Sequence, residues 1–361
     1  MKRIICVVTA IMMAFIISSS SMANNINDKR NSVSNEVRHQ QEVDSIVKAQ
    51  KKHYKVILLV AFGSTWQQAF DSYDATIKAY KEAFPMYDVH LAFTSRICIK
   101  RAAAGQNTAK RNYYAPEYWL EAFGRVQYNE IIVQSLQIIP GEEYGRMVST
   151  MKDFANNAKG ALDDSYLNPE NGRLVLRLGK PLLANATEDV NNLAKALHAE
   201  FGTLAAKGAV TLMGHGNANE DEAYHANMRY TLLEQALQQI SKHYYVGTVD
   251  TPNNFKTNVL QRMKANGING GTVYCIPLMS IAGNHTYIDM AGDDAEFNLN
   301  GENGEMENTS WKKFFAASNY TCNNETMVLK GLLDFENIRD LWIKHTQEAI
   351  VVNYHYADEP R

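Results

Sequence analysis

From Lys55 onward, apolar runs of strand length alternate with longer stretches in which apolar residues recur at helical spacing. "KVILLVAF" (55–62) leads into "TWQQAFDSYDATIKAYKEAF" (65–84), and that into "DVHLAFT" (88–94). The same punctuation predicts strands at "EIIVQSL" (130–136), "RLVLRL" (173–178), "AVTLM" (209–213), "YYVGTV" (244–249) and "GTVYCIPL" (271–278). Strands separated by helix-length segments imply βαβ units, hence parallel sheets covered on both faces. Within the series lies a faint repeat. "LLVAFGST" (58–65) and "VTLMGHGN" (210–217) both end an apolar run in a glycine and a small polar turn. "LQIIPGEEY" (136–144) and "LMSIAGNHT" (278–286) align Leu136 with Leu278, Ile139 with Ile281 and Gly141 with Gly283, each pair 142 residues apart. The expected fold is therefore α/β, with two similar lobes, 54–185 and 186–361. Each is a parallel sheet flanked by helices, and a ligand-binding cleft lies between them.

Two segments precede that fold. Lys2 and Arg3 stand before an apolar stretch from Ile4 to Ile17, and "SSSSMA" then supplies small residues, which predicts a secretory signal over 1–23 with a cut after Ala23. Residues 24–53 are polar and charged and read as a leader with room for one short helix. The expectation is an exported, periplasmic protein with no membrane span, because no run approaches the roughly 20 apolar residues a spanning helix needs. Composition is ordinary for a globular chain of 361 residues, with 45% hydrophobic and 21% charged positions. A formal net charge of −3 and the lack of a basic run argue against nucleic acid and favour a small-molecule partner. Cys98, Cys275 and Cys322 form no CxxC, which leaves a zinc ribbon or thioredoxin-type site unsupported.

Chemistry gathers at three strand ends of the second half. His215 follows "VTLM", Asp250 follows "YYVGTV", and His285 comes shortly after "CIPLMSIAG". Parallel strands deliver such residues to one rim, and two imidazoles with one carboxylate suit a borderline divalent ion. Glycines flank His215 on both sides, as Gly214 and Gly216. They leave room for a flat ligand, or they serve backbone with φ > 0. Motifs for nucleotide binding, helical zinc proteases and nucleophile elbows are missing. Glu142 and Glu143 open a helical stretch, where acids commonly complement the dipole.

The chain resembles the anaerobic cobalt chelatases of the CbiK type, which insert Co²⁺ into sirohydrochlorin. The likeness spans roughly 55–350 and rests on "FGST", "AFTSRICIKR", "VQSLQIIPGEEY", "LMGHG", "VGTVDTPN" and, most specifically, "PLMSIAGNHTYIDMAGDD". It implies that His215, Asp250 and His285 are metal ligands, that His215 and His285 carry catalysis, and that Glu143 takes a proton or steers substrate. It further implies that Gly63, Ser64, Thr65 and Gln137 line the opposite lobe, with the macrocycle against Gly214 and Gly216. The metal, Co²⁺ or alternatively Fe²⁺ or Ni²⁺, would be a substrate, with no organic cofactor. The guest would be sirohydrochlorin, with haem as the alternative for an exported carrier, and a homo-oligomer is compatible with the reading. Two positions depart from the family pattern: Asp250 stands where Glu is usual, and Gln137 where "SLH" supplies a histidine.

Overall fold

The computed structural model describes residues 35–168, 173–218, 225–293 and 309–354, so the expected signal segment and the start of the leader lie outside the described residues. Within the leader, 35–50 forms one helix, α1, a unit by itself. From Lys51 on, the chain forms a second compact unit, and it carries every element below.

Strand β1 (Lys55–Ala61) is buried from Val56 to Ala61 on both faces, which is why its sequence is continuously apolar rather than alternating. It pairs in parallel with β2 (Asp88–Phe93) on one side and β3 (Glu130–Ser135) on the other. Next to β3 lies β4 (Val175–Gly179), also parallel. A second, three-stranded parallel sheet has β5 (Ala209–Gly214) at its centre, between β6 (Tyr244–Thr248) and β7 (Val273–Pro277). Orders β2-β1-β3 and β6-β5-β7 are the same, as a repeat of the two halves requires. The register agrees in detail. Leu136, just past β3, donates its N–H to Val60 of β1 at 2.8 Å, and Leu278, just past β7, donates to Met213 of β5 at 2.8 Å. Helix α2 (Gln67–Ala83) crosses from β1 to β2, α3 (Arg96–Ala104) and α4 (Pro116–Arg125) lie between β2 and β3, α5 (Glu142–Ala155) follows the turn after β3, and the short α6 (Asp164–Leu167) precedes β4. In the second half, α7 (Glu188–Ala205) precedes β5, α8 (Met228–Ile240) joins β5 to β6, and α9 (Lys256–Ala265) joins β6 to β7.

One feature departs from the expected division at 185/186. The helix Glu336–Gln347 and the strand β8 (Ile350–Val351) return to the first sheet, where β8 runs antiparallel to β4 with Leu178 opposite Ile350. The return is fixed by burial: Trp342 is fully buried, in a cluster that also holds Ile57, Phe70, Leu212 and Leu233. This core is continuous across both sheets. A smaller cluster, including Met213, Tyr245, Cys275, Trp311 and Phe315, backs the other face of the second sheet.

Candidate metal and macrocycle site

The turns after β5, β6 and β7 deliver the three residues expected to meet, and the structure brings the rings of two of them into contact. The rings of His215 and His285 stand edge to face with centroids 4.7 Å apart and planes at 84°. Each ring has one nitrogen already committed. His215 Nδ1 lies 2.8 Å from the Gly216 carbonyl, and His285 Nδ1 lies 2.5 Å from Asp289 Oδ2. A carbonyl and an ionised carboxylate only accept, so both Nδ1 atoms carry a proton, and in the neutral tautomer it is Nε2 that keeps the lone pair. In that tautomer the carboxylate and carbonyl partners orient the two rings as donors of the kind a divalent ion takes.

Asp250 is near but differently used. Its Oδ2 is 3.9 Å from His215 Nδ1, the nitrogen bonded to backbone, and its side chain is half-exposed. Among the described residues no group of three or more His, Cys, Asp or Glu stands in metal-holding geometry. The expected trio is therefore a facing imidazole pair with an acid beside it. Backbone ties hold that acid in place: the His215 carbonyl accepts from Asp250 N at 2.9 Å and from Val249 N at 3.2 Å.

The glycines beside His215 have a packing reason. A Cβ on Gly214 would come within 2.5 Å of Tyr230 Cε1, and one on Gly216, at φ +86°, within 2.1 Å of Thr251 Oγ1. The space where each Cβ would stand is thus filled by a neighbouring side chain of the protein. Burial pushes the Tyr230 hydroxyl well above its ordinary range, so it stays protonated, and it accepts from Gly216 N at 3.2 Å. The turn is thereby anchored from behind while the imidazole remains open in front.

Residues expected on the opposite lobe form its rim. Gly63 has φ +110°, and its missing Cβ makes room for Phe93. Ser64 and Thr65 are buried; Ser64 Oγ accepts from Trp66 N at 3.2 Å, and Thr65 Oγ1 accepts from Asn107 Nδ2 at 3.0 Å. Gln137 takes the Ser135 hydroxyl on Oε1, while its Nε2 has no partner. Glu143, half-buried near the start of α5, is held by Arg146 at 2.8 Å. The two rims touch in matched places. A Cβ on Gly283 would lie 3.4 Å from Ser64 Oγ, and one on Gly141 would lie 2.5 Å from Asn217 Nδ2. The turn after β1 thus meets the turn after β7, and the turn after β3 meets the turn after β5, the pairing that a duplicated lobe with approximate twofold symmetry produces.

Sequence reasoning missed three contributors. Asp289 is four residues past His285, a helical spacing that could have found it. Trp66 and Tyr287 stack across the rims with centroids 4.3 Å apart, and neither sequence position signals the other. A separate cavity of about 360 Å³ opens among Thr94, Arg96, Glu117, Glu121, Arg146 and Asp153, and neither imidazole lines it.

The family model described as cobalt chelatase (CbiK) matches residues 55–351, which is most of the chain and all of both sheets. The chain belongs to the cobalt chelatase (CbiK) family. A sirohydrochlorin cobaltochelatase of Nitratidesulfovibrio vulgaris is 30% identical over 298 residues, covering 82% of this chain and 90% of that protein. Another, from Salmonella typhimurium, is 27% identical over 300 residues, covering 82% and 96%. Among solved structures, SirB from Bacillus subtilis with Fe³⁺ is similar over 81% of this chain and 94% of that one, at 13% identity and a TM-score of 0.48.

Proposed function

We propose that this chain is a sirohydrochlorin cobaltochelatase, with His215 and His285 as the residues that hold the incoming ion. The observation that carries the reading is the imidazole pair at a centroid separation of 4.7 Å, with each Nδ1 committed to an acceptor of the protein. The names of the two relatives support the same substrate and metal. Metal insertion exchanges two pyrrole N–H protons for one divalent ion. Its barrier lies in presenting nitrogen lone pairs to a partly desolvated metal, and neutral imidazoles lower it by holding the ion without adding charge. Asp250 balances charge beside them. Glu143 takes a proton or steers substrate once its Arg146 pair opens. Gly63, Ser64, Thr65 and Gln137 form the facing rim. Co²⁺ is the preferred ion on this reading, with Fe²⁺ and Ni²⁺ as competitors to be ranked in the same assay.

The test is insertion of Co²⁺ into sirohydrochlorin, followed by absorbance, in wild type and in the His215→Ala/His285→Ala double variant. The variant is expected to lose at least about a hundredfold in rate while unfolding at the wild-type temperature. Unchanged insertion would overturn the assignment.

A second reading is favoured by the apolar segment after Lys2 and Arg3 and by Gln137 in the place of a histidine: an exported protein that carries haem or another tetrapyrrole in the same cleft. It predicts a mature N-terminus at Asn24 and a Soret band in protein purified from the envelope. A colourless protein that metallates sirohydrochlorin is the outcome expected of the enzyme.

A further inference from the structure

Trp66 and Tyr287 come from opposite lobes and meet where the two rims touch. Trp66 directly follows Gly63, Ser64 and Thr65 at the end of β1, and Tyr287 lies two residues past His285. Their rings are near-parallel, with centroids 4.3 Å apart and planes at 22°. Unlike Trp119, Trp311 and Trp342, which are buried, Trp66 is only partly covered, as is Tyr287. Among the described residues the indole N–H of Trp66 has no acceptor; the same holds for Trp119 and Trp342 in the core, but only Trp66 stands partly covered against a ring of the other lobe. Two further donors on the same rims, Gln137 Nε2 and Asn217 Nδ2, are likewise without a partner. Tyr287 also belongs to a short π-helical segment, Thr286–Met290, a distortion frequent at functional sites.

We propose that Trp66 and Tyr287 are substrate-positioning residues, which exchange their stack on one another for stacking on the tetrapyrrole when it enters. The proposal rests on the reading above that the cleft takes sirohydrochlorin. A macrocycle centred over the two imidazoles extends outward past His285, which brings its rim over Tyr287 and Trp66. Its carboxylate arms then offer acceptors to the indole N–H and the two amides. The exchange replaces one flat aromatic contact by another, so closing the cleft without substrate and filling it with substrate differ mainly in those hydrogen bonds.

The experiment compares wild type, Trp66→Ala, Tyr287→Ala and the conservative Tyr287→Phe. For each, Kd for metal-free sirohydrochlorin comes from absorbance titration, and kcat and KM from cobalt insertion with each substrate varied. Both alanine variants are expected to raise Kd and KM for sirohydrochlorin about tenfold, the usual weight of an aromatic contact, with KM for Co²⁺ and kcat little changed. Tyr287→Phe should restore the macrocycle KM. A purely structural clasp predicts the opposite sign, since losing it lowers the unfolding temperature and eases entry. Unchanged or reduced macrocycle KM in both alanine variants therefore overturns the proposal while leaving the chelatase reading intact. If wild type itself binds no sirohydrochlorin, the chelatase reading falls and this proposal falls with it.

Discussion

At His285 a single neighbouring carboxylate decides which nitrogen is available. With Asp289 Oδ2 at 2.5 Å, the ring is fixed both in tautomer and in rotation. Removing the carboxylate frees the ring to turn and lets the proton sit on either nitrogen. Asp289→Ala is accordingly expected to lower cobalt affinity and insertion rate by about 10–100-fold, with Asp289→Asn between it and wild type. Isothermal titration with Co²⁺ alone and steady-state insertion measure the two effects, and wild-type values in Asp289→Ala would show that the contact is incidental. Another histidine, His90 on β2, is the reverse case. It is buried against Trp119 and Phe123, with centroids 4.7 and 5.5 Å away, and its Nε2 has no partner. Burial lowers its pKa to about 4, against a smaller opposing pull from Asp88. In the unfolded chain the ring titrates at about 6.5. Between those values the unfolded state binds a proton that the folded state refuses, so stability falls as pH drops from 6.5 toward 4, by something on the order of 3 kcal/mol in full. His90→Phe should flatten that part of the curve of unfolding temperature against pH. An undiminished slope would place the acid sensitivity elsewhere.

At the scale of elements, the strands were readable because they are buried on both faces and therefore continuously apolar, as β1 is from Val56 to Ala61. The turn residues His215, Asp250 and His285 were readable for a related reason: in parallel sheets, whatever follows a strand lands on one rim. What the sequence hides is the reason for each glycine and the shape of the last turn. Gly214 is required by Tyr230, which lies 16 residues further on in α8, and no local pattern announces such a contact. The π-helical turn at Thr286–Met290, which carries Tyr287 and Asp289, also depends on packing rather than on a periodicity visible in "NHTYIDM". Gly216→Ala tests the turn itself. At φ +86°, and with Thr251 Oγ1 2.1 Å from the added Cβ, alanine must shift the backbone that accepts the His215 Nδ1 proton. A loss of at least about 1–2 kcal/mol of stability is expected from the left-handed conformation alone, together with reduced cobalt insertion. A variant with wild-type melting and activity would mean that the turn relaxes without moving the imidazole.

For the whole molecule, the sequence repeat located the two sheets and the cleft edge, but it concealed how the chain closes. Nothing in "DFENIRDLWIKHTQ" marks it as returning from the second half to the first sheet. The structure gives the physical reason. In the helix Glu336–Gln347, Trp342 is fully buried, and Thr346 donates to Gln134 Oε1 of β3 at 2.8 Å. His345 Nε2 meets Asp189 at 3.1 Å near the start of α7, and its Nδ1 meets the Lys180 carbonyl at 3.3 Å. Burial works against the Asp189 carboxylate, yet its bonds with His345 and Asn185 N prevail and hold its pKa below the ordinary value. One helix thus ties an element of the first sheet to one beside the second, through a core that contains Ile57 and Leu212 together. A chain with two independent lobes would melt in two steps. This arrangement predicts one, and it predicts that Trp342→Ala, at a cost of about 3–5 kcal/mol, lowers that single transition as a unit. Calorimetry reads both consequences, since the ratio of calorimetric to van't Hoff enthalpy stays near one if the lobes unfold together. Two resolved transitions in the variant, with one left at the wild-type temperature, would mean that the returning helix stabilises only the sheet on which it lies.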